Sequence, residues 1–85
     1  MEIELFADAI EDLKYWKKSG NQIVQKKIQQ LFVDVQAHPF EGIGKPEALK
    51  YNLSGKWSRR ITSEHRMVYE VVDETIRIYS LRGHY

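Results

Sequence analysis

One segment limits the possible folds more than any other. Val24, Ile28, Leu31, Phe32 and Val35 fall at i, i+4, i+7, i+8 and i+11, which draws a continuous apolar stripe along an α-helix. A helix of this kind is stable only against a second apolar surface, and the rest of the chain must supply it. Its limits are marked on both sides. Asn21 can accept hydrogen bonds from the first-turn N–H groups, and Pro39 forces the residue before it out of helical geometry.

The flanking segments supply that surface. Glu2 to Leu5 alternates polar and apolar residues and predicts a short strand. From Asp8 to Lys18, Ile10, Leu13 and Trp16 recur at helical spacing, with acids early and lysines late, as the helix dipole favours. Ser19-Gly20-Asn21 separates this helix from the next. Residues His38 to Pro46 contain two prolines and two glycines and predict a loop. Beyond Gly55 the apolar period falls to two, and Trp57–Thr62, Arg66–Val72 and Thr75–Leu81 predict three strands. Ser63-Glu64-His65 and Asp73-Glu74 are the expected turns, short enough to make these neighbours antiparallel. The expectation is one α+β domain over residues 1–85, with two N-terminal helices packed on one face of a mainly antiparallel, twisted sheet. The second sheet face is left to be polar and to receive a ligand.

Composition narrows the function classes. With 42% hydrophobic and 29% charged residues, the chain is neither disordered nor rich enough in apolar runs for a membrane span. It has no cysteine, which excludes disulfide frameworks and thiolate metal sites, and no leader-like amino terminus, so a cytoplasmic protein is expected. Its net charge of +1 is unevenly placed. Residues 1–44 hold five basic and seven acidic side chains, net −2, whereas residues 45–85 hold eight basic and five acidic, net +3. Six of those basic residues lie between Lys45 and Arg66, a pattern suited to one local polyanion site or, alternatively, to a solvated surface.

Several residues in this basic half have the chemistry for such a site. Glu47, between Lys45 and Lys50, is a carboxylate held among ammonium groups and can accept a proton; it could equally stabilise the start of a short helical turn after Pro46. Arg59, Arg60 and Arg66 offer planar, permanently charged donors for phosphate oxygens, or serve as strand residues that discourage aggregation. Alternation puts Arg60 with Ser58 and Thr62, and Arg59 with Trp57 and Ile61 on the opposite face. His84 can exchange protons near neutral pH or simply belong to a polar tail, and Tyr85 could stack on a base. His38 reads as a helix-end cation and His65 as a turn residue. No histidine or carboxylate spacing matches a metal site, and no complete phosphate loop is present, so no cofactor is expected.

Four runs gather these candidates into one pattern: Pro39-Phe40-Glu41-Gly42-Ile43-Gly44-Lys45-Pro46-Glu47-Ala48-Leu49-Lys50, Asn52-Leu53-Ser54-Gly55-Lys56-Trp57-Ser58-Arg59-Arg60-Ile61, Glu64-His65-Arg66-Met67-Val68-Tyr69, and the closing His84-Tyr85. Together they resemble the YoeB/Txe family of RelE-like toxins of bacterial toxin–antitoxin systems, across essentially the whole chain. The departures are Ala48, where a second proline is common, and Gly83, where a tyrosine often precedes the final pair. The resemblance implies a RelE-like fold and metal-independent cleavage of mRNA on the 70S ribosome. It implies Glu47 as general base, Arg66 on the phosphate, His84 as general acid and Tyr85 holding the nucleotide, and Lys50 and Arg60 match basic positions associated with RNA contact; Lys45 and Arg59, from the same basic stretch, complete the expected RNA-binding set. It further implies a cognate YefM-like antitoxin and a possible homodimer. Two other readings stay open on sequence grounds: a gyrase-inhibiting ParE-like toxin on the same fold, and an RNA- or ribosome-binding module without chemistry.

Overall fold

The computed structural model describes residues 1–83. It comprises strand β1 (Glu2–Leu5), helices α1 (Ala7–Ser19) and α2 (Gln22–Ala37), strand β2 (Glu47–Ala48), a 3₁₀ turn (Tyr51–Leu53), and strands β3 (Trp57–Arg60), β4 (Arg66–Val72) and β5 (Thr75–Ser80). The five strands form one sheet in the order β1-β5-β4-β3-β2. Every pairing is antiparallel except that of β1 with β5, so the sheet is mainly antiparallel, as expected. Parallel pairing needs a crossover, and α1 and α2 lie in the connection that begins after β1.

Local chemistry accounts for the helix boundaries. Gly20 takes the left-handed conformation that ends α1, and the Asn21 side chain accepts a hydrogen bond from the Val24 N–H at the start of α2. Val24, Ile28, Leu31 and Val35 of α2 are buried, as their spacing predicts, together with Ala9 and Trp16 of α1, Met67, Tyr69, Ile76 and Ile78 of the sheet, and Leu81 just past the end of β5. One expected core position is corrected. Ile10 is 41% exposed; Ala9 takes its place, because the line that meets the sheet runs through 9 and 16, two helical turns apart.

A bulge near the end of β5 matters for the carboxy terminus. The register slips between Val68 and Tyr69, pairing Val68 with Ser80 and Tyr69 with Ile78. Strict alternation after Ile76 and Ile78 would turn Ser80 inward; the extra residue instead puts Leu81 in the core. Both backbone polar groups of Leu81 are held by α1. Its carbonyl accepts from Trp16 Nε1 (2.9 Å), and its N–H donates to Asp12 Oδ2 (2.9 Å).

Candidate nucleic-acid interface

Strand register assigns the candidate residues to the two faces of the sheet. Glu47 pairs with Ser58, Ser58 with Val68, and Arg60 with Arg66. Directly opposed residues project to the same side, so Glu47, Ser58, Arg60 and Arg66 share the face away from the helices. Glu47 and Arg60 are exposed and Arg66 is half-buried. Two strand spacings and a two-residue offset separate the Glu47 and Arg66 backbones by roughly 12 Å. A glutamate and an arginine side chain extended toward each other can therefore meet over one phosphodiester. Lys45 and Lys50 are exposed on either side of β2.

Glu47 is a strand residue, and the alternative of a helical turn after Pro46 does not hold. The strand is short because the backbone turns sharply on both sides: Lys45 (φ 50°) and Tyr51 (φ 59°) are both left-handed, a conformation that few non-glycine residues adopt.

Arg59 departs most from expectation. Its side chain is fully buried, on the helix-facing side with Trp57 and Met67. All five guanidinium N–H groups are used. Nη1 donates to Asp34 Oδ2 (2.5 Å) and the Ile43 carbonyl (3.1 Å), Nη2 to the carbonyls of His38 and Glu41, and Nε to Tyr69 Oη (3.2 Å). Tyr69 Oη in turn donates to the Pro39 carbonyl (2.7 Å), and Asp34 also accepts from the Ile43 N–H (3.1 Å). Arg59 is thus removed from the RNA-binding set. Buried and saturated, it fastens the 38–44 loop to α2 and so supports the segment that presents Lys45 and Glu47. The Arg59 hydrogen bond holds the Asp34 carboxyl below its ordinary range, and burial pushes the Tyr69 phenol up.

Two of these residues could have been found in the sequence. Arg59 shares the inward phase of Trp57 and Ile61, which already argues against an exposed role. Asp34 sits at the edge of the apolar stripe, three residues after Leu31 and beside Val35, where an acid requires a buried partner.

The hairpin end of β4 holds the last described residue. The Gly83 N–H donates to His65 Nδ1 (2.8 Å), and the Gly83 carbonyl accepts from the Arg66 N–H (2.9 Å). His65 is therefore more than a turn residue: its ring also packs edge-on against Trp16, with centroids 4.9 Å apart. Gly83 has φ 84°, a value a side chain would strain, which accounts for glycine at this position. The predicted site residues His84 and Tyr85 lie outside the described residues, one and two positions beyond this anchor. Among the described residues, no three histidine, aspartate or glutamate side chains are grouped as a metal site requires. Among the same described residues, no helix is long and apolar enough to cross a membrane.

Comparison with known proteins agrees with this architecture. The family described as "YoeB-like toxin of bacterial type II toxin-antitoxin system" matches residues 6–85. Toxin YoeB of Escherichia coli K12 is 55% identical over 75 residues, covering 88% of each protein. The YoeB/ParE toxin from Agrobacterium tumefaciens has a TM-score of 0.95 at 36% identity, over the full length of both chains. YoeB of Staphylococcus aureus, solved as a YoeB–YefM complex, has a TM-score of 0.89 at 45% identity, covering 100% of this chain and 98% of that one. A YoeB dimer from the same organism has a TM-score of 0.90 at 44% identity and the same coverage. A profile match over nearly the whole chain and 55% identity to a curated toxin lead to one assignment: this chain belongs to the YoeB family of toxins of bacterial type II toxin–antitoxin systems.

Proposed function

We propose that the protein is a ribosome-dependent endoribonuclease that cuts mRNA in the cytoplasm, without a metal ion, and thereby halts translation. The observation that carries this reading is the shared open face of Glu47, Arg60 and Arg66, with the residue before His84 hydrogen-bonded to the Arg66 backbone. In the proposed reaction Glu47 takes the proton of a 2′-hydroxyl, whose oxygen attacks the adjacent phosphorus. Arg66 offsets the charge that develops on the phosphorane. His84 gives a proton to the departing 5′-oxygen, leaving a 2′,3′-cyclic phosphate. Lys45, Lys50 and Arg60 are proposed to hold the RNA backbone, and Tyr85 to stack on the reacting nucleotide. The ribosome supplies what an open sheet face lacks, namely a fixed path for the RNA strand.

The S. aureus relatives extend the proposal to partners: a YefM-like antitoxin that neutralises the toxin, and self-association as a dimer.

A cell-free translation reaction tests this. The wild-type protein should stop synthesis, and mapping of mRNA 3′ ends should show cuts within translated codons. Glu47→Ala and His84→Gln should each lose at least about 100-fold in cutting, as expected when one proton-transfer partner is removed. Intact mRNA at an inhibitory toxin concentration, together with loss of gyrase supercoiling, would replace this reading with the ParE-like one.

A further inference from the structure

The floor of the open face contains a polar group without a partner among the described residues. Ser58 is 1% exposed, and its Oγ is a buried side-chain atom without a hydrogen-bond partner among the described residues. The helices do not enclose it; by register it belongs to the face of Glu47, Arg60 and Arg66, at the centre of the row Glu47–Ser58–Val68. A buried hydroxyl without a partner has lost its hydration and gained nothing in return, so alanine at this position should be equally stable or more so. Buried polar atoms are nearly always paired, and an exception calls for a reason.

The reason lies on the adjacent strand. Glu47 is directly opposite Ser58, and opposed residues have Cβ atoms about 5 Å apart. That gap can be closed to hydrogen-bond length by the one rotatable bond of serine and the longer arm of glutamate. Glu47 is exposed in the free protein, where water serves its carboxylate. An RNA strand laid over this face strips that water away and presses the carboxylate toward the sheet. The only change then needed is rotation of two side chains.

We propose that Ser58 is a positioning residue for Glu47: when RNA occupies the face, Ser58 Oγ–H donates to the Glu47 carboxylate and directs its other oxygen at the 2′-hydroxyl. The inference rests on the nuclease reading above. Ser58 touches neither the RNA nor the reacting atoms, and acts on the rate through the orientation and ionisation of Glu47. A hydrogen bond donated to the charged form of a general base favours that form, so its loss should move the acidic limb of the pH–rate profile upward.

The test compares Ser58→Ala, Ser58→Thr and Glu47→Ala with wild type in ribosome-dependent mRNA cleavage, each with a thermal melt. Ser58→Ala should lower kcat about 10-fold or more, the usual scale for losing a hydrogen bond to a charged group. KM should change little, the acidic limb should move to higher pH, and the melting temperature should be unchanged or higher. Ser58→Thr, which keeps the hydroxyl on a strand-forming residue, should recover most of the rate. On the Glu47→Ala background, adding Ser58→Ala should cost nothing more, because the group being positioned is gone.

The outcomes separate the two claims. If wild type cuts mRNA and Glu47→Ala does not, while Ser58→Ala matches wild type in rate and pH profile, the role of Ser58 is refuted and the nuclease reading stands. If Ser58→Ala loses rate and melting temperature together, with no shift of the acidic limb, the residue is structural and the proposal fails. If wild type leaves mRNA intact, both claims fall.

Discussion

Replacing Arg59 with methionine removes a guanidinium while roughly preserving side-chain length, and the structure indicates what that should cost. The side chain is wholly buried and its five N–H donors serve Asp34, Tyr69 and the carbonyls of His38, Glu41 and Ile43. Its loss leaves the Asp34 carboxylate without its counter-charge and three loop carbonyls without their donors. Breaking one side of a buried ion pair costs about 3–5 kcal/mol. The total stability of a domain of this length is only roughly 4–13 kcal/mol, so the variant should approach the unfolding threshold. At about 4–8 °C per kcal/mol for a domain of this size, the melting temperature should fall by at least about 12 °C. The adjacent Arg60→Ala supplies the control: Arg60 is exposed on the other sheet face, and its removal should change stability by no more than about 0.5 kcal/mol. Circular dichroism melts of wild type and the two variants decide the matter. If Arg59→Met melts within a few degrees of wild type, or if the two arginine variants behave alike, the view of Arg59 as the fastening of the 38–44 loop is wrong.

Two further predictions follow from the same loop. The Arg59 hydrogen bond depresses the folded pKa of Asp34 below 3.8, so the stability it contributes is fully present above that pH and is lost as pH falls through the lower folded value. Denaturant titrations from pH 7 to pH 2 should show wild type well above Asp34→Asn at neutrality, with the gap narrowing below about pH 4; a gap constant down to pH 2 would contradict the ion-pair account. Gly44→Ala should destabilise by more than about 1 kcal/mol, because φ is +81° and the new Cβ would meet Leu31 Cδ2 at 2.8 Å and the Arg60 carbonyl oxygen at 3.1 Å. A melting temperature equal to wild type would show that the loop packs less tightly on α2 and β3 than described.

Whatever depends on neighbours in the chain was legible in the sequence. The stripe from Val24 to Val35, the cap at Asn21, the stop before Pro39 and the turn at Asp73-Glu74 are local, because helical and strand periods and turn preferences act over a few residues. The proposed site residues rest on residue type and on the order of the family's motifs, since carboxylate, guanidinium and imidazole chemistry is carried by the side chain itself. Three things needed the tertiary structure. Pairing of β1 with β5 joins residues more than seventy positions apart, and no local pattern encodes it. The bulge that puts Leu81 in the core depends on the register between β4 and β5. The separation of two adjacent arginines, Arg59 into a saturated buried network and Arg60 onto the open face with Glu47 and Arg66, follows from which sheet face α2 covers and from Asp34 reaching across from that helix. Residue identity determined which groups could bind a phosphodiester; only the packing of α2 on the sheet decided which of them remained free to do so.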